Sequence, residues 1–128
     1  MLETGIKGCK KITVNAENTA KAMASGTLDV FATPAMIALI EATASESVAP
    51  FLDEGFSTVG THLDIAHSAA SPVGIEVVCE TELVEVDRRR LVFKAVVRDA
   101  VGEIGSGTHE RFVVDNVKFM AKAQSKLQ

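Results

Sequence analysis

Glu41 is the only charge in the stretch from Pro34 to Ser45, the most apolar helix this chain can form. Ile37, Ala38, Ala44 and Ser45 occupy its i±3 and i±4 positions, so nothing on the same helix pairs with it. A carboxylate under apolar cover is costly unless an ionic or hydrogen-bonding partner reaches it. Glu41 is therefore either half of a structural ion pair or a reacting group. Partners must come from elsewhere in the chain, where His62, His67, His109 and Arg111 are available. Thr33 stands just before Pro34, where a threonine can cap a helix and a proline fits the first turn. An acid, a histidine and a hydroxyl are the residue types that nucleophilic and acid–base chemistry at a carbonyl uses. A metal centre is not expected, because the helix carries no HExxH and the three histidines have no ligand spacing. Gly102, Gly105 and Gly107 lack the GK[ST] ending of a phosphate loop, and read as places where helix or substrate comes close to a strand.

Those residues have to be placed by a simple series of elements. Residues 6 to 14 alternate weakly and predict a first strand; residues 15 to 32 are small and mixed and read as a loop or short helical turn. The Thr33-Pro34 start predicts a helix running to about Phe51-Leu52, some 27 Å long and the central element of the fold. Four strands follow, at residues 57–65, 75–86, 91–98 and 103–114, with turns at Ser71 to Gly74, Asp87 to Arg89 and Asp99 to Gly102. The short connections between the last three demand an antiparallel meander. Asn116 is the expected cap of a short last helix containing Val117, Phe119, Met120 and Ala121. His62 and His109 read as structural or as supports to the catalytic residues; His62 precedes His67 by five residues and so lies on the opposite face of a regular strand. This is an α+β domain, residues 1–128, in which one sheet covers one helix. A small sheet cannot surround a helix that is apolar on nearly every side, so a homodimer is expected to supply the remaining cover.

Composition narrows the partners. The formal charge of -4 argues against nucleic acid, and no apolar run approaches the length of a membrane span. Glu3, Lys7, Lys10 and Lys11 interrupt the first fifteen residues, so no secretory signal is expected. Cys9 and Cys79 form no CxxC and read as free thiols of a reducing, cytoplasmic compartment. Arg88-Arg89-Arg90 is the only basic run, either a solvated turn or a grip for an anionic part of a ligand.

Three segments together carry a resemblance: 31–41 (FATPAMIALIE), 58–67 (TVGTHLDIAH) followed by Pro72-Val-Gly74, and 103–115 (EIGSGTHERFVVD). The chain resembles the hotdog-fold acyl-CoA thioesterases, within them the fluoroacetyl-CoA thioesterase-like group, over roughly residues 8 to 118. The resemblance implies a hotdog fold: a long central helix against a curved antiparallel sheet, dimerised through its sheets, with an acyl-CoA site where each helix meets the partner. It implies Thr33, Glu41 and His67 as catalytic residues. It puts on Gly60 the backbone N–H that faces the thioester carbonyl, and makes Arg111 a residue lining the site. It does not extend to the fluoroacetyl preference, which that group ties to a lid and an aromatic gate; residues 15–31 do not match clearly there.

The expected function is hydrolysis of an acyl-CoA thioester to acid and CoA, with no cofactor beyond the CoA that belongs to the substrate. Glu41 would attack the carbonyl or deprotonate a water, and His67 would move protons. Arg88, Arg89 and Arg90 are the candidates for the CoA phosphates. The alternative is a non-catalytic acyl-CoA-binding or regulatory module on the same scaffold, since fold alone does not settle chemistry.

Overall fold

Runs rich in Val, Ile and Thr form strands where their alternation predicts them. The computed structural model describes residues 2–127. Along the chain come β1 (Lys7–Thr13), α1 (Thr33–Val48), a 3-10 turn (Ala49–Phe51), β2 (Phe56–His67), β3 (Glu76–Asp87), β4 (Arg90–Asp99), β5 (Glu103–Asp115) and α2 (Asn116–Gln124). A second 3-10 turn, Ser125–Leu127, closes the described chain. All strand pairs are antiparallel, in the order β1-β3-β4-β5-β2, with β3, β4 and β5 as the meander.

Two expectations about the architecture need correction. No long central helix forms: α1 has 16 residues and stops at Val48, short of Phe51-Leu52. Pro50 explains this, because it has no N–H to continue the helical ladder and its ring crowds the preceding turn. The sheet, moreover, does not curve round the helix. It is an open five-stranded sheet with β1 and β2 as free edges, and Thr33, Pro34, Ala38 and Glu46 of α1 remain exposed. The result is a hotdog-like α+β fold with one sheet and two modest helices. The second helix starts where the sequence places it, but its cap is the side chain of Asp115, which accepts from the Lys118 N–H.

α1 buries Ala35, Met36, Leu39, Ile40, Thr43, Ala44 and Val48, each large aliphatic contributing about 1.5–3 kcal/mol of burial. It lies chiefly over β1 and β3. Gly105 lets it come close, since a Cβ there would stand 2.8 Å from Met36 Sδ. The flank carrying Ile37, Ala38 and Glu41 is left more open.

On β5 the polar parity faces the helix: His109 and Arg111 are buried while Phe112 is 41% exposed on the outer face. In β2 the register slips by one residue between Gly60 and His62. Thr58 is buried before the slip, and after it the more covered positions are Leu63, Ile65 and His67. His62 is exposed, on the face opposite His67.

Candidate active site

The start of α1 is pinned from two sides. Ala32 N–H donates to the Asn18 carbonyl, and Phe31 N–H donates to that of Ser71. Ser71 is itself held by its hydroxyl on Asp99 (2.7 Å). That hydrogen bond, with the Val101 and Gly102 N–H groups, keeps the Asp99 carboxyl below its ordinary range. Ala32, not Thr33, is the N-cap, and no side chain caps this helix. The Thr33 hydroxyl instead lies 2.8 Å from His67 Nδ1 at the end of β2. The pair borders a cleft of about 250 Å³ walled by Ala20, Val30, Phe31, Ala69 and Ala70. His67 Nε2 is buried, with no partner among the described residues. A histidine nitrogen left this way is fitted to meet an incoming polar group.

Two turns further along α1 a second cluster forms around Glu41. Its side chain is 39% exposed, and Oε2 lies 3.5 Å from Arg111 Nη1. The guanidinium is held by three other acceptors. Nε donates to Thr58 Oγ1 and Nη2 to the Thr58 carbonyl, both at 2.8 Å, and Nη1 donates to His109 Nε2 at 3.1 Å. Burial pulls the Arg111 pKa below its ordinary value, with Glu41 opposing the shift. Gly60 packs directly under the carboxylate, where an added Cβ would collide with Glu41 Oε2. Any larger residue at Gly60 would displace the acid.

Within one chain the structure thus joins Thr33 to His67, and Glu41 to Gly60 and Arg111, but does not join the two groups. Eight residues of helix separate Thr33 from Glu41, about 12 Å along the axis. Arg88 and Arg89 form the two-residue turn between β3 and β4, Arg90 begins β4, and the Arg89 carbonyl accepts from the Val113 N–H of β5. Arg90 pairs with Phe112 and His67 with Gly105, so the two sit about 23 Å apart along β5, at opposite ends of the sheet. Arg90 is engaged by Glu85 at 2.7 Å and Glu110 at 2.8 Å. Arg89 lies 5.9 Å over the Phe56 ring. Read from sequence, His109 is structural or a support to the catalytic residues, and Thr58 and Ser71 have no role of their own. The available signal was the alternation of His109 with Arg111 on one strand face.

Comparison with known proteins gives a consistent answer. The profile of the fluoroacetyl-CoA-specific thioesterase family matches residues 14–117. The fluoroacetyl-CoA thioesterase of Streptantibioticus cattleyicolor is 43% identical over 98 residues, 77% of this chain and 70% of that protein. A solved structure of the fluoroacetyl-CoA thioesterase FlK superposes with a TM-score of 0.93 at 34% identity, covering 98% of both chains. A variant of that enzyme in complex with acetyl-CoA gives 0.94 at 33% identity, covering 99% of this chain and 100% of that one. A Thermus thermophilus member of the thioesterase superfamily, at 22% identity and a TM-score of 0.90, shares the fold. The match over most of the chain, on the elements that carry Thr33, Glu41, Gly60, His67 and Arg111, makes this chain a member of the fluoroacetyl-CoA-specific thioesterase family of hotdog-fold acyl-CoA thioesterases.

Proposed function

We propose that residues 1–128 form one hotdog domain that hydrolyses a small or medium acyl-CoA to the free acid and CoA, with Thr33, Glu41 and His67 as its catalytic residues. The observation that carries this reading is the Thr33–His67 hydrogen bond at the border of a small cleft of mixed polar and apolar lining. Glu41 attacks the thioester carbon, and the Gly60 N–H and Thr33 hydroxyl receive the charge that develops on oxygen. The C–S bond breaks, leaving a mixed anhydride on Glu41 and the CoA thiolate. Water then attacks the anhydride, giving its proton to His67, which passes it to the thiolate or to solvent. The acid leaves and the Glu41 carboxylate is regenerated. Single-turnover hydrolysis in ¹⁸O water with hydroxylamine trapping tests the route: label entering Glu41, or a trapped Glu41 hydroxamate, supports the anhydride, and label in the acid alone with nothing trapped means that water attacks directly.

Because Glu41 and His67 stand apart in one chain, the reading requires a homodimer in which Glu41 of one copy works with Thr33 and His67 of the other. The strand edges support it. β1 carries Lys7, Lys10 and Lys11, the lysine protection typical of an edge that stays unpaired. β2 is a free edge of 12 residues that carries Asp64 and two histidines but no Glu, Lys or Arg. Two-fold antiparallel pairing of β2 with its copy brings the Gly60 end of one strand toward the His67 end of the other. The same symmetry turns each arginine turn toward the partner's cleft. Arg88 and Arg89, with Arg90 bracing the turn, are then the groups for the CoA phosphates. Among the described residues no helix is long and apolar enough to cross a membrane, and the two free thiols suit a cytoplasmic setting.

Mixing two inactive variants tests the shared site. Glu41→Gln and His67→Ala homodimers are each expected to lose at least ~10²-fold in turnover. Unfolded and refolded together, they should recover activity in about a quarter of the sites, because each heterodimer contains one intact site. No recovery despite demonstrated heterodimers would overturn the pairing of Glu41 in one copy with Thr33 and His67 in the other. A wild-type protein that binds acyl-CoA without turnover would instead favour a non-catalytic binding module.

A further inference from the structure

The thioesterase chemistry proposed above uses Glu41 and Arg111 but leaves unexplained why a histidine with no exposed surface lies beneath them. His109 stacks on Phe93, with ring centroids 6.2 Å apart, and both ring nitrogens have protein partners. Nδ1 lies 2.9 Å from the His62 carbonyl oxygen, which can only accept, so Nδ1 carries the proton. Nε2 lies 3.1 Å from Arg111 Nη1, which can only donate, so Nε2 must offer its lone pair. These two contacts leave one protonation state, the neutral Nδ1–H tautomer.

The two protons of Arg111 Nη1 are then both assigned, one to His109 Nε2 and the other to Glu41 Oε2. Nε and Nη2 are anchored on Thr58. A protonated His109 would set N–H against N–H and drive Nη1 off its position. Arg111 and Glu41 are the charged groups on the ring's side of the sheet, Glu110 acts on it from the other face of β5, and His62 supplies the carbonyl. Burial is the largest influence on His109 and holds its pKa below the ordinary value; Arg111 acts in the same direction. The slip in register at Gly60–His62 lies between the Gly60 that underlies Glu41 and the His62 carbonyl that fixes the ring.

We propose that His109 is a positioning residue for the thioesterase reaction: a permanently neutral imidazole that, held by the His62 carbonyl, aims the Arg111 guanidinium at Glu41. It acts through Arg111 and does not touch substrate. The inference rests on the thioesterase reading for its kinetic consequences, though not for the tautomer.

His109→Leu keeps an apolar side chain but removes both hydrogen bonds, whereas His109→Gln can donate to His62 and accept from Arg111 through one amide. His109→Leu should lower kcat about 10²-fold, the effect of a misplacement near 1 Å, while KM stays within about threefold. His109→Gln should recover most of that loss. Because the effect passes through Glu41, the Glu41→Gln, His109→Leu double variant should be no slower than Glu41→Gln alone. Long-range ¹⁵N–¹H correlation on the wild-type protein should show His109 as the Nδ1–H tautomer, unchanged from pH 8 to 5. A Gln variant as slow as Leu, additive losses in the double variant, an Nε2–H tautomer, or titration at the ordinary histidine midpoint would each overturn the proposal. The NMR measurement decides even if a variant fails to fold. Absence of acyl-CoA hydrolysis by the wild type would overturn the thioesterase reading instead.

Discussion

Replacing Gly60 with alanine separates the position of Glu41 from the stability of the fold. Gly60 is not among the glycines with positive φ, so its backbone accepts an L residue without strain. Restricting the unfolded chain then gains about 0.4–1 kcal/mol. Against this stands the new methyl group. Its first obstacle is Glu41 Oε2, with Arg111 Nη1 and His109 Cε1 next, each at 3.3 Å. The carboxylate ends a flexible side chain that is 39% exposed, so it yields, retreating by about 1 Å to reach ordinary contact. Loosening a half-exposed ion pair costs at most about 1 kcal/mol. The two contributions nearly cancel, and the melting temperature should move by no more than about 5 °C. Activity has no such compensation, because a displacement near 1 Å at a reacting group costs about 10²-fold. The assay is kcat/KM for release of CoA thiol, read beside a thermal melt. Gly105→Ala is the structural control: its Cβ would meet the Ala66 carbonyl at 2.8 Å, and backbone cannot swing aside. It should lower the melting temperature. If Gly60→Ala kept wild-type kcat/KM at an unchanged melting temperature, the position of Glu41 would not govern the reaction.

Three other perturbations follow from single contacts. Thr33→Ala removes no cap, since the Thr33 hydroxyl bonds His67; stability should change by less than about 0.5 kcal/mol while kcat falls at least ~10-fold, measured by melting and turnover together. Arg88 makes no ion pair among the described residues and stands at φ 58°, an expensive place for a non-glycine residue. Arg88→Ala with Arg89→Ala should therefore raise KM several-fold for an acyl-CoA but not for the same acyl group on a short phosphate-free thiol; equal effects on both would return the turn to a solvated role. His109, held below its ordinary value of 6.5 by burial, binds protons more weakly folded than unfolded. Its contribution is fully present above pH 6.5 and is lost as pH falls toward the folded value, with a slope of up to about 1.4 kcal/mol per pH unit. Chemical denaturation from pH 7.5 to 4.5 should show that loss in the wild type and a smaller one in His109→Gln.

The strands were legible because alternation survives in each of them, and the meander because its turns are short. The helix length was not, although the sign was in plain view: Pro50 removes a ladder donor just where the apolar pattern invites extension to Leu52. Asp115 rather than Asn116 caps α2 for a similarly local reason, its side chain lying three residues before the Lys118 N–H it satisfies. The inward face of β5 was illegible by pattern alone. Apolar Phe112 turns outward and polar His109 and Arg111 turn inward, the reverse of ordinary amphipathic reading. That reversal is tolerable only because nearly every inward polar atom finds a partner, in Thr58, His62 and Glu41.

The division of the candidate site into two clusters follows from helix geometry that the spacing already contained. Positions 33 and 41 are two full turns and about 80° apart on a helix, so Thr33 and Glu41 cannot approach one bond of one substrate from the same chain. Residue types named the chemistry, and the resemblance named the residues. Neither carried the distance. Once the distance is included, the long, nearly uncharged β2 edge beside both clusters and the lysine-guarded β1 edge on the far side belong to the same argument. The edge left open is the one whose pairing would complete the reaction centre. The proposal of one site shared between two copies therefore stands or falls in the mixing experiment.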